Sequence, residues 1–373
     1  FITLYHLIFI VKIKNIMKVC IIGNSLTSLT LAKTLVNLGI YVDIFFDLKK
    51  KNQDKNRTIG ISKSNVNFFN KEILNINKLL WNINNIDVYS QKLENKKILS
   101  FQNNGKLLFS IIRNDELMSY LIKVLKKDKF LTFKKNIPKY EFLVKNYKLI
   151  FNCDSNNEIS KKYFYKKIDK DYNSYAHTTV ICHNKLKKND IASQIFTIKG
   201  PLAFLPISEK QTSVVYSCIG DKNIELERFI RKHNLKYTIT KINKVSCFKL
   251  QSSNLRLYRH RNILAFGDSL HRLHPLAGQG YNMTIRDIQI ISKLIRKKTE
   301  LGLELDNSIF IDFEKKTKHK NYLFSNGIDF IYEFFNFENK IDTKILSQSV
   351  KFLGENKFIK NFFSKIADKG LVS

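Results

Sequence analysis

The stretch Asn262–Asn282, NILAFG followed by DSLHRLHPLAGQGYN, constrains this chain more than any other segment of it. Its apolar start reads as a buried strand. The strand ends in Gly267-Asp268, a loop follows with Pro275, Gly278 and Gly280, and a helix is predicted from about Met283 to Lys297. A strand that passes through a glycine-rich loop into a helix belongs to a parallel sheet with crossover helices. The loop also has chemical content. Asp268 offers a carboxylate to the hydroxyls of a polyol. Gly278 and Gly280 let the backbone approach a flat ring, and the helix N-terminus turns its dipole toward negative charge.

The opening of the chain repeats the theme. Lys18–Gly23 (KVCIIG) is a short apolar strand. Leu29, Leu31, Ala32, Leu35 and Leu38 follow at helical spacing, and Gly39 is a helix stop. Tyr41–Phe46 is a second strand, so the order is β-α-β. The dinucleotide fingerprint G-x-G-x-x-G would fall on Gly23, Ser25 and Ser28. Only Gly23 is retained, and two small serines stand in for the other glycines. The acidic ribose anchor expected at the end of the second strand aligns with Phe46, with Asp47 one residue later. Asp47 serves as that anchor if the strand end turns early, and a surface aspartate after a strand is the equal alternative.

Between these landmarks the pattern is mixed. A helix is expected over Ser64–Leu80, and a hairpin over Ile98–Phe109 turning at Asn103-Asn104-Gly105. An amphipathic helix follows at Asp115–Lys126. Phe142–Val144 and Leu149–Asn152 read as strands around a turn at Asn146. Tyr175–Cys218 is strand-rich, Glu225–His233 is helical, and everything after Leu305 reads as helix. The aromatic stretch Tyr322–Phe337 is core by the simplest reading, with lipid contact as the minor one. The same applies to the tail Phe352–Lys365.

Composition adds mainly exclusions. The 373 residues hold 64 Lys+Arg against 32 Asp+Glu, a net charge of +32. That balance raises nucleic acid or an anionic membrane as partner. The lysines are dispersed, however, and come with abundant Asn, Ile, Phe and Tyr and only 4 Pro and 13 Gly, the pattern of AT-rich codons. A solvated basic surface is the reading adopted; nucleic-acid binding is not expected, and weak attraction to anionic lipid is. Five cysteines without Cys-x-x-Cys spacing read as free thiols of a reducing cytosol. His271 and His274 have no acidic or Cys cluster to complete a metal set, and no metal is expected. The apolar start FITLYHLIFIVKI is too short to span a bilayer and unlike a signal peptide, and Met17 is read as the natural start.

The Gly267–Asn282 segment resembles the second FAD motif, GDAAHxxxPxxGQGxN, of flavoprotein aromatic hydroxylases built like para-hydroxybenzoate hydroxylase. HPLAGQGYNMTIRD is similar to the form found in the UbiH-type hydroxylases of ubiquinone biosynthesis. Four further stretches match in order. Arg57-Thr58-Ile59-Gly60-Ile61-Ser62 resembles D-x-R-x-x-A-L-S, with Lys55 where the family has Asp. Ile112-Arg113 with Leu117 and Leu121 resembles the entry to the helix that lines FAD. Phe151–Ser155 stands where the family has G-A-D-G, keeping Asp154 and replacing the last Gly by Ser155. Gly200–Pro206 (GPLAFLP) resembles the strand beside the active site.

The resemblance, which runs from about Met17 to the C-terminal helices, implies an α/β fold: a Rossmann-like, doubly wound FAD-binding domain with an inserted β-sheet substrate domain and C-terminal helices. The expected division is 17–80, 111–160 and 253–300 for the FAD-binding domain, 81–110 and 161–252 for the substrate domain, and 301–373 for the helical region. It further implies FAD, with NAD(P)H or a protein as electron donor, and hydroxylation of a polyprenylated phenol by molecular oxygen through a flavin hydroperoxide. On this reading no side chain need act as a nucleophile, and no catalytic residue or metal ligand is expected. Cofactor contacts are expected from Gly23, Ser25, Ser28, Asp47, Arg57, Arg113, Asp154, Gly267 and Asp268, and Pro275, Gly278, Gln279, Gly280 and Asn282 are expected against the isoalloxazine ring. Partners would be the phenol, oxygen, other ubiquinone-biosynthesis proteins and the surface of the inner membrane, from the cytoplasmic side. Two alternatives stay open: another flavin-dependent oxidoreductase on this fold, and a non-catalytic member that scaffolds a biosynthetic complex.

Overall fold

The computed structural model describes residues 18–48, 55–102, 107–220, 222–273 and 279–341. Met17, the turn at Asn103–Gly105, His274, Pro275 and Gly278, and the tail Phe352–Lys365 lie outside them.

The apolar run Lys18–Ile22 is buried from Val19 onward, which requires a neighbour on each side and a layer on each face. It lies inside a six-stranded sheet with the spatial order Arg259–His260, Ile263–Ala265, Leu149–Asn152, Lys18–Ile22, Tyr41–Phe45, Leu131–Lys134. All pairings in it are parallel except the hairpin at its edge. Helix Leu26–Asn37 is the first crossover; it buries Leu29, Leu31, Ala32 and Leu35 completely, and Gly39 at φ +75 ends it. This is the doubly wound sheet expected from the sequence, and the largest core is built on it.

A nine-stranded sheet forms the second layer. Its order is His271–Arg272, Ser246–Leu255, Lys167–His183, Gln211–Ile219, Gly200–Pro206, Ile191–Thr197, Asn85–Ser90, Lys96–Gln102, with Ile239–Ile242 also paired to Lys167–His183. One face carries a second core, where Ile181, Leu202, Phe204, Val214, Tyr216 and Cys218 pack under helix Leu226–His233. A three-stranded sheet, Thr58–Ser62, Phe109–Arg113 and Trp81–Ile83, joins the two layers. Thr58 Oγ1 donates to Ser213 Oγ at 2.9 Å, and Asn56 Nδ2 donates to Lys244 O at 2.7 Å.

Three sequence expectations are corrected. The hairpin over Ile98–Phe109 does not form: Lys96–Gln102 pairs back onto Asn85–Ser90, while Phe109–Arg113 belongs to the three-stranded sheet. The turn sits instead at Glu94 and Asn95, both in the left-handed region at φ 54 and 58. Alternation marks a strand but does not choose its partner. The strand expected at Phe142–Val144 is part of helix Tyr140–Asn146. Tyr140, Leu143, Val144 and Tyr147 are spaced i, i+3, i+4, i+7, which is a helical stripe. The helix over Ser64–Leu80 is regular only from Lys63 to Phe68, widens over Phe69–Ile73 and stops. Asn70 holds the stop, accepting from Ile76 N at 2.8 Å and donating to Asn77 Oδ1 at 2.6 Å.

Candidate functional site

Four parallel strands end on one edge of the six-stranded sheet, so Gly23, Asp47, Asp154 and Asp268 are brought to the same crevice mouth. Ligands of open α/β sheets bind outside this edge. Gly23 is held at φ +140, and a Cβ there would lie 3.2 Å from the Cys153 carbonyl carbon and 3.3 Å from Asp154 N. Gly267 is at φ +61, and its Cβ would meet Thr27 Cγ2 at 2.5 Å. The end of the late strand therefore closes against the start of helix Leu26–Asn37, the end of the first strand closes against the turn at Cys153-Asp154, and glycine permits each approach.

The two serines of the eroded fingerprint have a definite job. Ser25 is the N-cap and accepts from Ser28 N at 3.3 Å, while Ser28 Oγ accepts from Ser25 N at 3.1 Å. Ser28 Oγ also lies 2.7 Å from both Gly23 O and Ser25 O. This reciprocal cap replaces the glycine turn and satisfies two amides internally. The amides of Leu26 and Thr27, at the first two helical positions, have no intrahelical acceptor and carry the positive end of the helix dipole.

Asp268 is exposed just past the end of the late strand. Cys153 lies beneath it; burial, then the charges of Asp268 and Asp154, push the thiol upward and keep it protonated. Asp154 is half-buried and its Oδ1 accepts from Asn156 N at 2.9 Å, which fixes the turn. At the second strand, Phe46 continues the ladder into Lys134 O at 2.8 Å and is 4% exposed, so it cannot reach a ribose. Asp47 is the first residue past the core, and its N–H donates to Asn24 Oδ1 at 2.7 Å.

Other expected residues are placed differently from a simple ring contact. Asn282 is 1% exposed, and its amide is engaged by protein: Nδ2 donates to Gly60 O at 2.8 Å, and Oδ1 accepts from Ser62 N and from Asn65 Nδ2, both at 2.9 Å. It fastens strand Thr58–Ser62 to helix Gln279–Glu300. Arg113 reaches across to the nine-stranded sheet, donating to Gln211 Oε1 at 2.6 Å and lying 3.6 Å from Glu116. Arg57 is exposed, and its carbonyl accepts from Asn114 N. Gln279 and Gly280 open the long helix, half-buried; a Cβ on Gly280 would meet nothing within 4 Å, so this face is open to a flat ligand. Pro275 and Gly278 lie outside the described residues.

Several residues of the same motif have tasks that its spacing does not reveal. Tyr281 lies 2.6 Å from Thr30 Oγ1, tying the two crossover helices; burial pushes its phenol up. His271 and Asp287 pair in the core, and Arg286 reaches back to Gln279. Each needs residues that only the fold brings together.

The face that the nine-stranded sheet turns toward the three-stranded sheet follows from strand parity. Gln211 and Ser213 contact the three-stranded sheet, so odd-numbered residues of Gln211–Ile219 face that side. Their cross-strand partners share the face: Leu205 opposite Ser213, and Ala203 opposite Val215. Ala203, Leu205 and Val215 are half-buried, with Pro201 next in line, and form an apolar, partly open wall. Gly200 starts that strand at φ +138, where a Cβ would strike Ser217 O at 2.0 Å.

These features fit FAD: amides at a helix N-terminus for a diphosphate, carboxylates at strand ends for ribose and ribityl hydroxyls, and a bare helix start for a ring. The comparisons agree. Residues 225–300 match the FAD binding domain family. The chain is 22% identical over 274 residues to the mitochondrial ubiquinone biosynthesis monooxygenase COQ6 of Schizosaccharomyces pombe, covering 60% of this chain and 57% of that one. It is 27% identical over 166 residues to the 3-demethoxyubiquinol 3-hydroxylase of Escherichia coli, covering 41% of each. The chain thus spans about half the length of the curated relatives it matches. The p-nitrophenol 4-monooxygenase of Pseudomonas putida superposes with a TM-score of 0.77 at 10% identity, over 96% of this chain and 99% of that one. HpxO of Klebsiella pneumoniae, crystallised with FAD and uric acid, superposes at 0.72 and 11%, over 96% and 98%. By its motifs, the match of residues 225–300 and its relatives, the chain is similar to the FAD-dependent hydroxylases of ubiquinone biosynthesis, and its fold is that of the FAD-dependent monooxygenases on which it superposes.

Proposed function

We propose that the chain is an FAD-dependent monooxygenase that hydroxylates the ring of a polyprenylated phenol during ubiquinone biosynthesis, using molecular oxygen. The observation that carries this is the exposed Asp268 at a glycine turn closed against a helix N-terminus, in a chain whose second sheet turns Ala203, Leu205 and Val215 toward the three-stranded sheet.

When bound, FAD supplies the activated oxygen; the chain supplies position and a dry surface. The Leu26 and Thr27 amides hold the diphosphate. Asp47, held by Asn24, accepts from the adenosine ribose, and Asp268 accepts from the ribityl chain. Gln279 and Gly280 form the edge on which the ring rests. Arg57 and Asp154 lie at the periphery, and Arg113 keeps the substrate sheet in register with the flavin sheet. The apolar wall excludes water and suits a ring with a hydrocarbon tail better than a charged substrate. Electrons come from NAD(P)H or a protein donor, and the substrate's tail implies contact with the inner membrane and with neighbouring biosynthetic proteins.

The test is direct. Purified protein given FAD, a reductant and a prenylated phenol should show the flavin absorption band and form hydroxylated product only with oxygen. Product without oxygen would favour a different flavin oxidoreductase. A chain that takes up no flavin would favour the scaffold reading, for which the internally satisfied Ser25–Ser28 cap is the one supporting observation.

A further inference from the structure

The C-terminal helix Ser308–Ile341 has two unlike faces. Ile309, Phe310, Phe313, Thr317, Asn321, Phe324, Ser325 and Ile328 are buried, at the spacing of one helical stripe. This inner face is committed: Asn321 Nδ2 donates to Asp287 Oδ1, and Ser325 Oγ accepts from Asn254 Nδ2 at 2.8 Å.

The outer face changes character along its length. From Lys315 to Lys320 the exposed residues are Lys315, Lys316, Lys318, His319 and Lys320. From Tyr322 to Phe330 they are Tyr322, Leu323, Asn326, Gly327 and Phe330, none of which is formally charged. Tyr322 and Leu323 are 44% and 45% exposed and Phe330 is 68% exposed. The nearest acids do not offset the lysines. Glu314 is half-buried and shared between Arg259 and Lys318, and Glu333 pairs with Lys170. Asp329 is half-buried and bonded to Tyr172, so among the described residues of this helix Asp312 alone stands exposed beside the cationic turns.

We infer that this face docks on an anionic lipid bilayer, with the lysines at the headgroups and Tyr322, Leu323 and Phe330 at the acyl boundary. Cations beside exposed aromatic and aliphatic side chains, on one face of a helix whose other face is core, match an interfacial helix lying in the membrane plane. No helix among the described residues is long and apolar enough to cross a membrane, so the contact is with the surface. Charge selects the lipid: a zwitterionic surface gives the lysines nothing to neutralise, whereas each lysine near an anionic surface strengthens binding about fivefold. A second copy of the chain is the competing occupant. It would bring the same lysines against each other and is disfavoured by that repulsion. The inference deepens the membrane contact proposed above, and its test uses no substrate, so its failure leaves the hydroxylase reading standing.

The full chain is mixed with phosphatidylcholine vesicles with or without phosphatidylglycerol, and bound protein is measured by flotation. Binding is expected only with the anionic lipid, and to weaken as salt is added. K315Q/K316Q/K320Q should lose about a hundredfold in affinity, at roughly fivefold per lysine, with unchanged flavin content and thermal midpoint because all three side chains are exposed. Tyr322→Trp should shift its emission to shorter wavelength on anionic vesicles. Triple-variant binding equal to the parent's, or an unshifted Tyr322→Trp emission, overturns the proposal. So does light scattering that shows a dimer dissociated by Leu323→Ser, which would assign the face to a second copy.

Discussion

His271 Nε2 lies 2.5 Å from Asp287 Oδ2, and each side chain is 1% exposed. The pair fixes the segment that follows Asp268 onto the long helix, and Asn321 extends it to the C-terminal helix at 3.3 Å. Removing the imidazole leaves a buried carboxylate oxygen without its partner, which costs about 3 kcal/mol. His271→Ala should therefore lower the urea midpoint of the apo protein by roughly that amount and weaken flavin retention as well. H271A/D287A should recover part of the loss, since both partners are then gone. A single variant as stable as the parent would show that the pair is not holding the turn.

Arg286 performs a related task on the far side of the same loop. Its guanidinium lies 4.7 Å over the Phe324 ring, and Nη2 donates to Gln279 Oε1 at 3.3 Å. The stack on the C-terminal helix aims the donor at the residue where the ring is proposed to rest. Arg286→Met should weaken FAD binding about tenfold, the effect of losing one hydrogen bond of a charged donor. Lys should rescue poorly, because an ammonium neither stacks nor forks as a guanidinium does. Quenching of FAD fluorescence on titration measures both.

How much of this could be read beforehand depends on the range of each interaction. The first strand, its helix and the Gly267-Asp268 turn were legible because local pattern dictates them. The helix at Tyr140–Asn146 carries an i, i+3, i+4, i+7 stripe, but the three consecutive apolar residues Phe142–Val144 beside a strand look like another strand. The partner of Phe109–Arg113 was not legible, since alternation is silent about which sheet a strand joins. At the site, Asp268 could be named from its motif. The use of Asn282 to clamp Gly60 and Ser62, and of Ser25 and Ser28 as a reciprocal cap, depends on the geometry of side chains that no spacing rule contains.

Asp268 is exposed and carries no structural load in the described residues, so its role can be isolated. Asp268→Ala should leave apo stability within about 0.5 kcal/mol of the parent. It removes charge-assisted hydrogen bonds to the ribityl chain, worth roughly 1.5–3 kcal/mol, so FAD affinity should fall about ten- to a hundredfold. Protein that purifies with its full complement of flavin after this change would refute the assignment.

Gly267 makes the opposite case, a residue whose function is the absence of a side chain. An alanine at φ +61 is strained by about 1 kcal/mol, and its Cβ would lie 2.5 Å from Thr27 Cγ2. Overpacking adds about 1–3 kcal/mol. Gly267→Ala should destabilise the fold by roughly 2–4 kcal/mol. Thr27→Ser removes the clashing methyl and should return the overpacking part but not the backbone strain. A double-mutant cycle by urea unfolding separates the two, and a coupling energy near zero would mean that the strand end and the helix start are not in contact.

The second core holds an imidazole with nothing to bond to. His233 is 1% exposed, packs 4.5 Å from the Phe229 ring, and neither ring nitrogen has a hydrogen-bond partner. Burial, then the neighbouring Lys232, lowers its pKa below the ordinary 6.5. The folded state thus binds fewer protons than the unfolded chain in that range. Its stability is complete above pH 6.5 and is lost as the pH falls below it toward the folded-state value. His183 and His260, also lowered first by burial, slope the same way. His233→Leu should raise stability by about 1 kcal/mol at neutral pH, by removing two unsatisfied polar atoms. It should also make the acid decline shallower without abolishing it, because the other two histidines remain. Urea midpoints across the range from neutral to mildly acidic pH test both parts, and a variant whose decline below pH 6.5 is as steep as the parent's would place the titrating group elsewhere.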